Sequence, residues 1–107
     1  MRLAPNEVQA IRRSVAELLP EGAVVRLFGS RVDDSRRGGD IDLLVETPEP
    51  LDASDWTDRR ARLVARIQRR LEERRIDIVH AVLGTDDPRP VVRNAREHGI
   101  ELGAVRP

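Results

Sequence analysis

The feature that most constrains this chain is a pair of aspartates two residues apart in an apolar segment, residues 40–45 (DIDLLV). Successive side chains of a β-strand point to opposite faces, so Asp40 and Asp42 share one face while Ile41, Leu43 and Val45 face the core. Two carboxylates this close repel each other unless a cation lies between them. The segment therefore predicts a strand with one buried face and one acidic face, which suits a hard metal ion such as Mg²⁺.

A Gly-Ser pair precedes this strand. Gly29 and Ser30 follow an apolar segment, residues 23–28, which is predicted to be a central strand, and nine residues separate Ser30 from Asp40. Because Gly has no Cβ, a ligand can approach the backbone N–H groups of such a turn closely, and Ser adds a hydroxyl donor. The pair predicts a phosphate-binding turn.

A third acid lies in a second apolar segment that is rich in β-branched residues, residues 75–82. Alternation places Asp77 on the face opposite Ile76 and Ile78, and places His80 with those isoleucines as a packed or strand-end residue. If this strand is the neighbour of the Asp42 strand, three carboxylates share one surface. That number is enough to hold two metal ions about 3.5–4 Å apart for an in-line displacement at phosphorus.

In combination, these residues resemble the DNA polymerase β-like nucleotidyltransferases, and among them the minimal nucleotidyltransferase group. The shared pattern is a Gly-Ser turn, a short loop, an Asp-x-Asp strand and a later acid, and it spans residues 5–102. The loop of nine residues is one shorter than in many members. The resemblance implies an α+β fold of the polymerase β-like palm type: a small mixed sheet carries the acidic site and helices pack on the other face. We expect a single domain over residues 1–107.

The resemblance also implies the chemistry. The expected catalytic and metal-binding residues, for two Mg²⁺ ions, are Asp40, Asp42 and Asp77. The expected residues for binding ATP, the substrate, are Gly29, Ser30 and Arg31, with Arg36 and Arg37 as weaker candidates. Small stand-alone members of the group resemble antitoxins that are encoded beside a HEPN ribonuclease toxin and modify its tyrosine with AMP. Such a toxin is the implied partner and acceptor.

Composition narrows the other possibilities. The 19 basic and 19 acidic residues cancel, so bulk charge does not favour nucleic acid as a partner. The absence of Cys excludes a disulfide framework and a thiolate metal site. No apolar run approaches membrane-spanning length and the N-terminus lacks a signal-peptide core, so we expect a cytoplasmic protein without a membrane partner.

Three helices are predicted from apolar periodicity, over residues 5–19, 58–75 and 91–98. Asp55 is the expected cap of the second helix and Gly99 the expected end of the third. The second helix contains eight arginines, which predict a solvated face or, less strongly, a docking surface for an acidic partner or RNA. Trp56 and Phe28 are the only aromatic residues and are expected to be core anchors.

Three alternative functions stay open. In the first, the chain is an antitoxin that neutralises a toxin by occlusion alone, and acid-site variants still neutralise it. In the second, the chain is a nucleotidyltransferase subunit acting on a small hydroxylated molecule such as an aminoglycoside, and turnover needs no protein partner. In the third, the chain binds RNA through the arginine-rich helix, and the affinity is salt-dependent and falls when Arg62 and Arg66 are neutralised.

Overall fold

The computed structural model describes residues 3–29, 40–71 and 75–106. The order of the described elements is helix, two strands, helix, strand, helix, strand. Their bounds are α1 (Pro5–Leu18), β1 (Val24–Phe28), β2 (Ile41–Thr47), α2 (Ala53–Leu71), β3 (Ile76–Val82), α3 (Pro90–His98) and β4 (Ile100–Ala104).

The four strands form one mixed sheet in the order β3-β2-β1-β4. β1 is antiparallel to both of its neighbours, β2 and β4, whereas β2 and β3 are parallel. The parallel pair is joined by α2, as a parallel connection requires a crossover element. The mixed sheet and the α+β class agree with the fold expected from the sequence.

The main core lies between one face of the sheet and helices α1 and α2. Its fully buried members include Ile11 of α1, Leu63 and Ile67 of α2, and Leu27 and Leu43 of the sheet. Strand alternation sends the odd-numbered residues of β2 into this core, as predicted from the Asp-x-Asp segment. The opposite face of β2 carries Asp42, so packing of the apolar side chains fixes where this carboxylate points.

The third helix lies on the acidic face of the sheet. Val92 and Ala95 of α3 form a second cluster with Phe28, Leu44 and Ala81, all of which are buried. Helices α1 and α2 therefore lie opposite the acids as expected, and α3 covers the part of the acidic face farther along β2 and β3. The acid pair lies at the start of these strands, which none of the three described helices covers.

The N-terminus of α2 corrects one prediction. The helix begins at Ala53, and the backbone N–H of Asp55 donates to the Asp52 side chain Oδ1 at 2.7 Å. Asp52 is therefore the capping residue, and Asp55 lies in the first turn, where its carboxylate accepts from Arg59 Nε at 3.0 Å. Both residues are acids suited to a helix N-terminus. The sequence does not distinguish them, because the helix begins before the first residue of its apolar periodic pattern.

Strand β4 was not predicted. Gly99 ends α3 as expected, but its φ of −75° is ordinary, and the residue is restricted by space: a Cβ there would collide with the Ala95 carbonyl oxygen. The strand that follows has only five residues, and four of them are register partners of β1, with an irregularity between Val25 and Arg26. A strand this short, containing Gly103, carries a weak alternation signal.

The arginines of α2 are mostly used within the fold. Two of them pair along the helix and two pair with α1: Arg59 with Asp55, Arg62 with Asp58, and Arg66 and Arg70 both with Glu17. These contacts favour the prediction of a solvated, internally compensated face over an RNA-binding surface. In the described parts of the chain, no helix has the length and apolar character needed to cross a membrane.

Candidate active site

The two central acids occupy equivalent positions on neighbouring strands. Asp42 of β2 and Asp77 of β3 are register partners in the parallel pair, so their side chains leave the same face of the sheet side by side. The condition set by the sequence, that the two acidic strands be neighbours, is met. Asp42 is partly buried and Asp77 is about half exposed, with a side-chain exposure of 51%.

The electrostatics of this pair favour a cation. Burial raises the pKa of Asp42, and the neighbouring charges of Asp77 and Asp40 raise it further, while Arg75 opposes them. Arg75 lies 3.6 Å from Asp77 (Nε to Oδ2) and is itself largely exposed. A raised carboxyl pKa means that the ionised form is under-compensated by its surroundings. Among the described residues, the negative charge here is offset only in part, by the exposed guanidinium of Arg75.

Gly29 lies against Asp42. It follows β1 directly, at the start of the turn predicted to bind phosphate, and has a φ of +79°, which L side chains rarely adopt. A Cβ at this position would lie 2.5 Å from Asp42 Oδ2. The glycine is therefore required twice, by its backbone conformation and by the space that Asp42 takes. Ser30 and Arg31, with Arg36 and Arg37, lie outside the described residues.

Asp40 is exposed and immediately precedes β2. The structure thus brings Asp42 and Asp77 together directly and places Asp40 two residues from the pair. Among the described residues, no three Asp, Glu, His or Cys side chains are already arranged as a metal-ion site. The donor set nonetheless fits a hard divalent cation, because it consists of carboxylate oxygens whose charge the described residues only partly offset.

A fourth acid on the same face was missed from the sequence. Glu46 is buried, with a side-chain exposure of 4%, between two arginines: Arg26 Nε donates at 2.8 Å and Arg96 Nε at 2.9 Å. Arg96 also donates to the carbonyl oxygens of Val82 and Thr85, at 3.0 and 2.6 Å. This cluster attaches α3 to β1, β2 and β3. The sequence indicates this cluster by one charged residue inside each of two apolar strands, Arg26 in β1 and Glu46 in β2, a pattern that predicts a buried ion pair.

Comparison with known proteins identifies the class of chemistry. A family model described as "Nucleotidyltransferase domain" matches residues 8–102, which is most of the chain. The chain belongs to this nucleotidyltransferase family. Its members generally use a nucleoside triphosphate and a divalent metal ion, in agreement with the acidic pair and the glycine turn. No curated protein matches the sequence.

Two solved structures share the fold of this nucleotidyltransferase. One, described as a toxin-antitoxin crystal structure with AMP-PNP, is 21% identical and superposes with a TM-score of 0.68, covering 91% of this chain and 73% of the other. The second is a mutant of the toxin-antitoxin pair MntA-HpeT in which two aspartates, two positions apart, are replaced by glutamate. It is 20% identical, with a TM-score of 0.66, and the match covers 91% of this chain and 72% of that one.

Proposed function

We propose that this nucleotidyltransferase transfers AMP from ATP to a tyrosine hydroxyl of a partner HEPN ribonuclease toxin and so acts as its antitoxin. The observation that carries the proposal is the register of Asp42 and Asp77 beside Gly29 at the start of β2 and β3. Support for the partner comes from two similar folds that belong to toxin-antitoxin structures, one of them with AMP-PNP.

In this proposal Asp40 and Asp42 hold the Mg²⁺ ion that accompanies the triphosphate, and Asp77, with one of them, holds a second. The ions supply positive charge that neutralises the phosphates and lowers the pKa of the acceptor hydroxyl. Burial and the charges of Asp77 and Asp40 raise the pKa of Asp42, and the positive charge of a bound ion would act against this rise.

The remaining protein residues bind the triphosphate and orient it for the transfer. Gly29 leaves room for the triphosphate beside Asp42, and the proposed contacts from Ser30 and Arg31 hold the β and γ phosphates. The tyrosine oxygen forms a bond to the α-phosphorus while the bond from that phosphorus to the bridging oxygen breaks, and pyrophosphate leaves. Asp77, the more exposed of the pair, accepts the hydroxyl proton or holds the ion that acidifies it.

The test is intact mass spectrometry of the toxin encoded beside this gene after incubation with the protein, ATP and Mg²⁺. Wild type is compared with Asp42→Asn and with Asp58→Asn, an exposed aspartate on α2 far along the chain from the site. The proposal predicts an AMP-sized addition on the toxin with wild type and Asp58→Asn, and none with Asp42→Asn or with a metal chelator.

The outcomes also separate the alternatives. Neutralisation of the toxin by Asp42→Asn, with no addition by wild type, would establish occlusion and refute catalysis. Consumption of ATP with a small hydroxylated acceptor, in the absence of any toxin, would establish the small-molecule enzyme instead.

A further inference from the structure

A groove separate from the acid pair runs along the open edge of β3. It has a volume of about 420 Å³ and is lined by Trp56, Arg60, Ile78, Val79, His80 and Arg89. These residues come from α2, from β3 and from the segment before α3. β3 pairs with β2 alone among the described strands, so the groove opens at the side of the sheet.

The two aromatic rings that line the groove, those of Trp56 and His80, are held in place by contacts within the fold. Trp56 stacks on His80 with ring centroids 5.0 Å apart and an interplanar angle of 29°. The Thr47 hydroxyl donates to the carbonyl oxygen of Glu49 at 2.7 Å, so at its 2.7 Å contact with His80 Nε2 it is the acceptor and Nε2 carries the proton. Since Thr47 is fully buried, this chain of bonds fixes the imidazole and, through it, the indole.

The charge of the groove is positive and partly unused. Of the two arginines that line it, Arg89 is bound to Asp87 and to the His80 carbonyl oxygen. Arg60, unlike the four paired arginines of α2, makes no ion pair with any described residue. No described acidic side chain lines the groove. Its complement is therefore a negatively charged group next to a flat or apolar one.

We propose that this groove docks an acidic, aromatic-containing segment of the acceptor protein. The proposal rests on the transfer to a partner protein inferred above, and it assigns the surface that recognises that partner. A carboxylate of the segment pairs with Arg60, and a neighbouring ring or aliphatic side chain packs on Trp56.

The position of the groove relative to the acids supports this role. His80 lies three residues from Asp77 on the same strand, or about 10 Å at about 3.3 Å per residue, and the two side chains leave opposite faces of the sheet. A segment held in the groove therefore reaches the acid pair by passing around the edge of β3, a path of a few residues. Such docking raises the local concentration of the acceptor hydroxyl without adding a group to the reacting atoms.

The test uses two tyrosine-containing probes, a random glutamate–tyrosine copolymer and a lysine–tyrosine copolymer. Trp56 is the only tryptophan, so its fluorescence reports directly on the groove. We expect the acidic copolymer to change this fluorescence and the basic one to leave it unchanged. Arg60→Glu should weaken binding of the acidic copolymer by at least about tenfold, equivalent to about 1.4 kcal/mol.

Arg69→Glu is the matched control. Arg69 is the other exposed arginine of α2 without an ion pair among the described residues, it carries the same charge, and it does not line the groove. We expect its effect on the acidic copolymer to stay within about twofold. Equal losses for the two variants would overturn the proposal in favour of general electrostatic attraction. A stronger fluorescence response to single-stranded RNA, or to ATP alone, would overturn it in favour of a nucleic-acid or nucleotide site.

Transfer kinetics separate this inference from the proposed function. With the toxin as acceptor, Arg60→Glu should raise KM for the toxin and leave KM for ATP unchanged. Transfer to the toxin with an unchanged toxin KM in Arg60→Glu would refute the docking site and leave the function standing. Selective binding of the acidic copolymer with no AMP transfer to any protein would refute the function, while the groove would remain a site for acidic segments.

Discussion

Asp42 and Asp77 lie side by side as register partners on parallel strands, with Gly29 against the Asp42 carboxylate. The fold thus places two like charges at adjacent positions, where the charge of Asp77 helps to raise the pKa of Asp42. Such an arrangement costs stability in the absence of a cation. In the divalent-ion site proposed here, this is the cost of holding the carboxylates in place before the ion binds.

We therefore expect Asp42→Asn to raise the melting temperature of the metal-free protein at about pH 7. The folded-state pKa of Asp42 is raised above its unfolded value, so wild-type stability falls as pH rises through the interval between the two, and the variant lacks this loss. Each ~1 kcal/mol corresponds to about 4–8 °C for a domain of this size. Thermal denaturation at a series of pH values checks this.

The advantage of Asp42→Asn should shrink as acid protonates the wild-type carboxyl. Added Mg²⁺ should stabilise wild type and Asp58→Asn but leave Asp42→Asn unaffected. If Asp42→Asn is no more stable than wild type at neutral pH, the negative charge of Asp42 is already offset by neighbouring positive charge in the metal-free protein.

Gly29→Ala should abolish nucleotidyl transfer. The methyl group would lie 2.5 Å from Asp42 Oδ2 and would also occupy a left-handed backbone conformation, which costs about 1–2 kcal/mol. Gly84→Ala is the control, because Gly84 has a similar φ of +75° with no atom within 4 Å of the added Cβ. Both variants should lose similar backbone stability by thermal melting, and only Gly29→Ala should lose Mg²⁺-dependent stabilisation and activity. Comparable activity in the two would disprove the role of the close contact.

Arg96→Met should destabilise the fold by about 2–4 kcal/mol. It removes one of the two partners of the buried Glu46 and leaves the carbonyl oxygens of Val82 and Thr85 without this donor. Arg93→Met, on the same helix, should change stability by less than about 0.5 kcal/mol, because Arg93 is largely exposed and lies 3.9 Å from an exposed Asp86. Urea denaturation distinguishes the two, and equal midpoints would contradict the anchoring role of Glu46.

His80 gives the protein an acid-sensitive contact. Burial, and then the charge of Arg89, lowers its pKa, so its contribution to stability is present above the unfolded pKa of about 6.5 and is lost as pH falls through the folded value. His80→Gln does not titrate and keeps an N–H donor for Thr47. The melting temperature of wild type should therefore fall relative to that of His80→Gln on going from about pH 7 to about pH 5. Parallel pH profiles would refute this account.

Much of the site was predictable because its residues obey a simple period. Alternation along one strand puts Asp42 opposite the core, and alternation along another does the same for Asp77, so the shared surface followed once the strands were taken as neighbours. The cap of α2 and the last strand were not predictable in this way. Asp52 and Asp55 are chemically equivalent caps, and the five residues of β4 are held by pairing with β1 rather than by their own pattern.

Partners that are distant in the sequence explain the other features of the structure that could not be predicted. Glu46 is acceptable inside a buried strand only because Arg26 and Arg96 reach it from sequence positions 20 and 50 residues away. The groove beside β3 likewise combines Trp56 with His80, which only the packing of α2 over the sheet brings together. Local periodicity carries no information about contacts between side chains far apart in the sequence. The resemblance to a known family, in contrast, supplied the arrangement of the strands.

The guanidinium groups at the open edge of β3 also affect how the molecule behaves among its copies. Arg89 binds the carbonyl oxygen of His80, and Arg96 binds that of Val82, so acceptors that another strand would use are already taken. Exposed strand edges promote aggregation, and cationic side chains along an edge are a common protection against it. Among the described strands β3 has one unpaired edge, and these two bonds oppose the addition of a strand from another copy there, while the same side of the molecule presents the groove to a different chain.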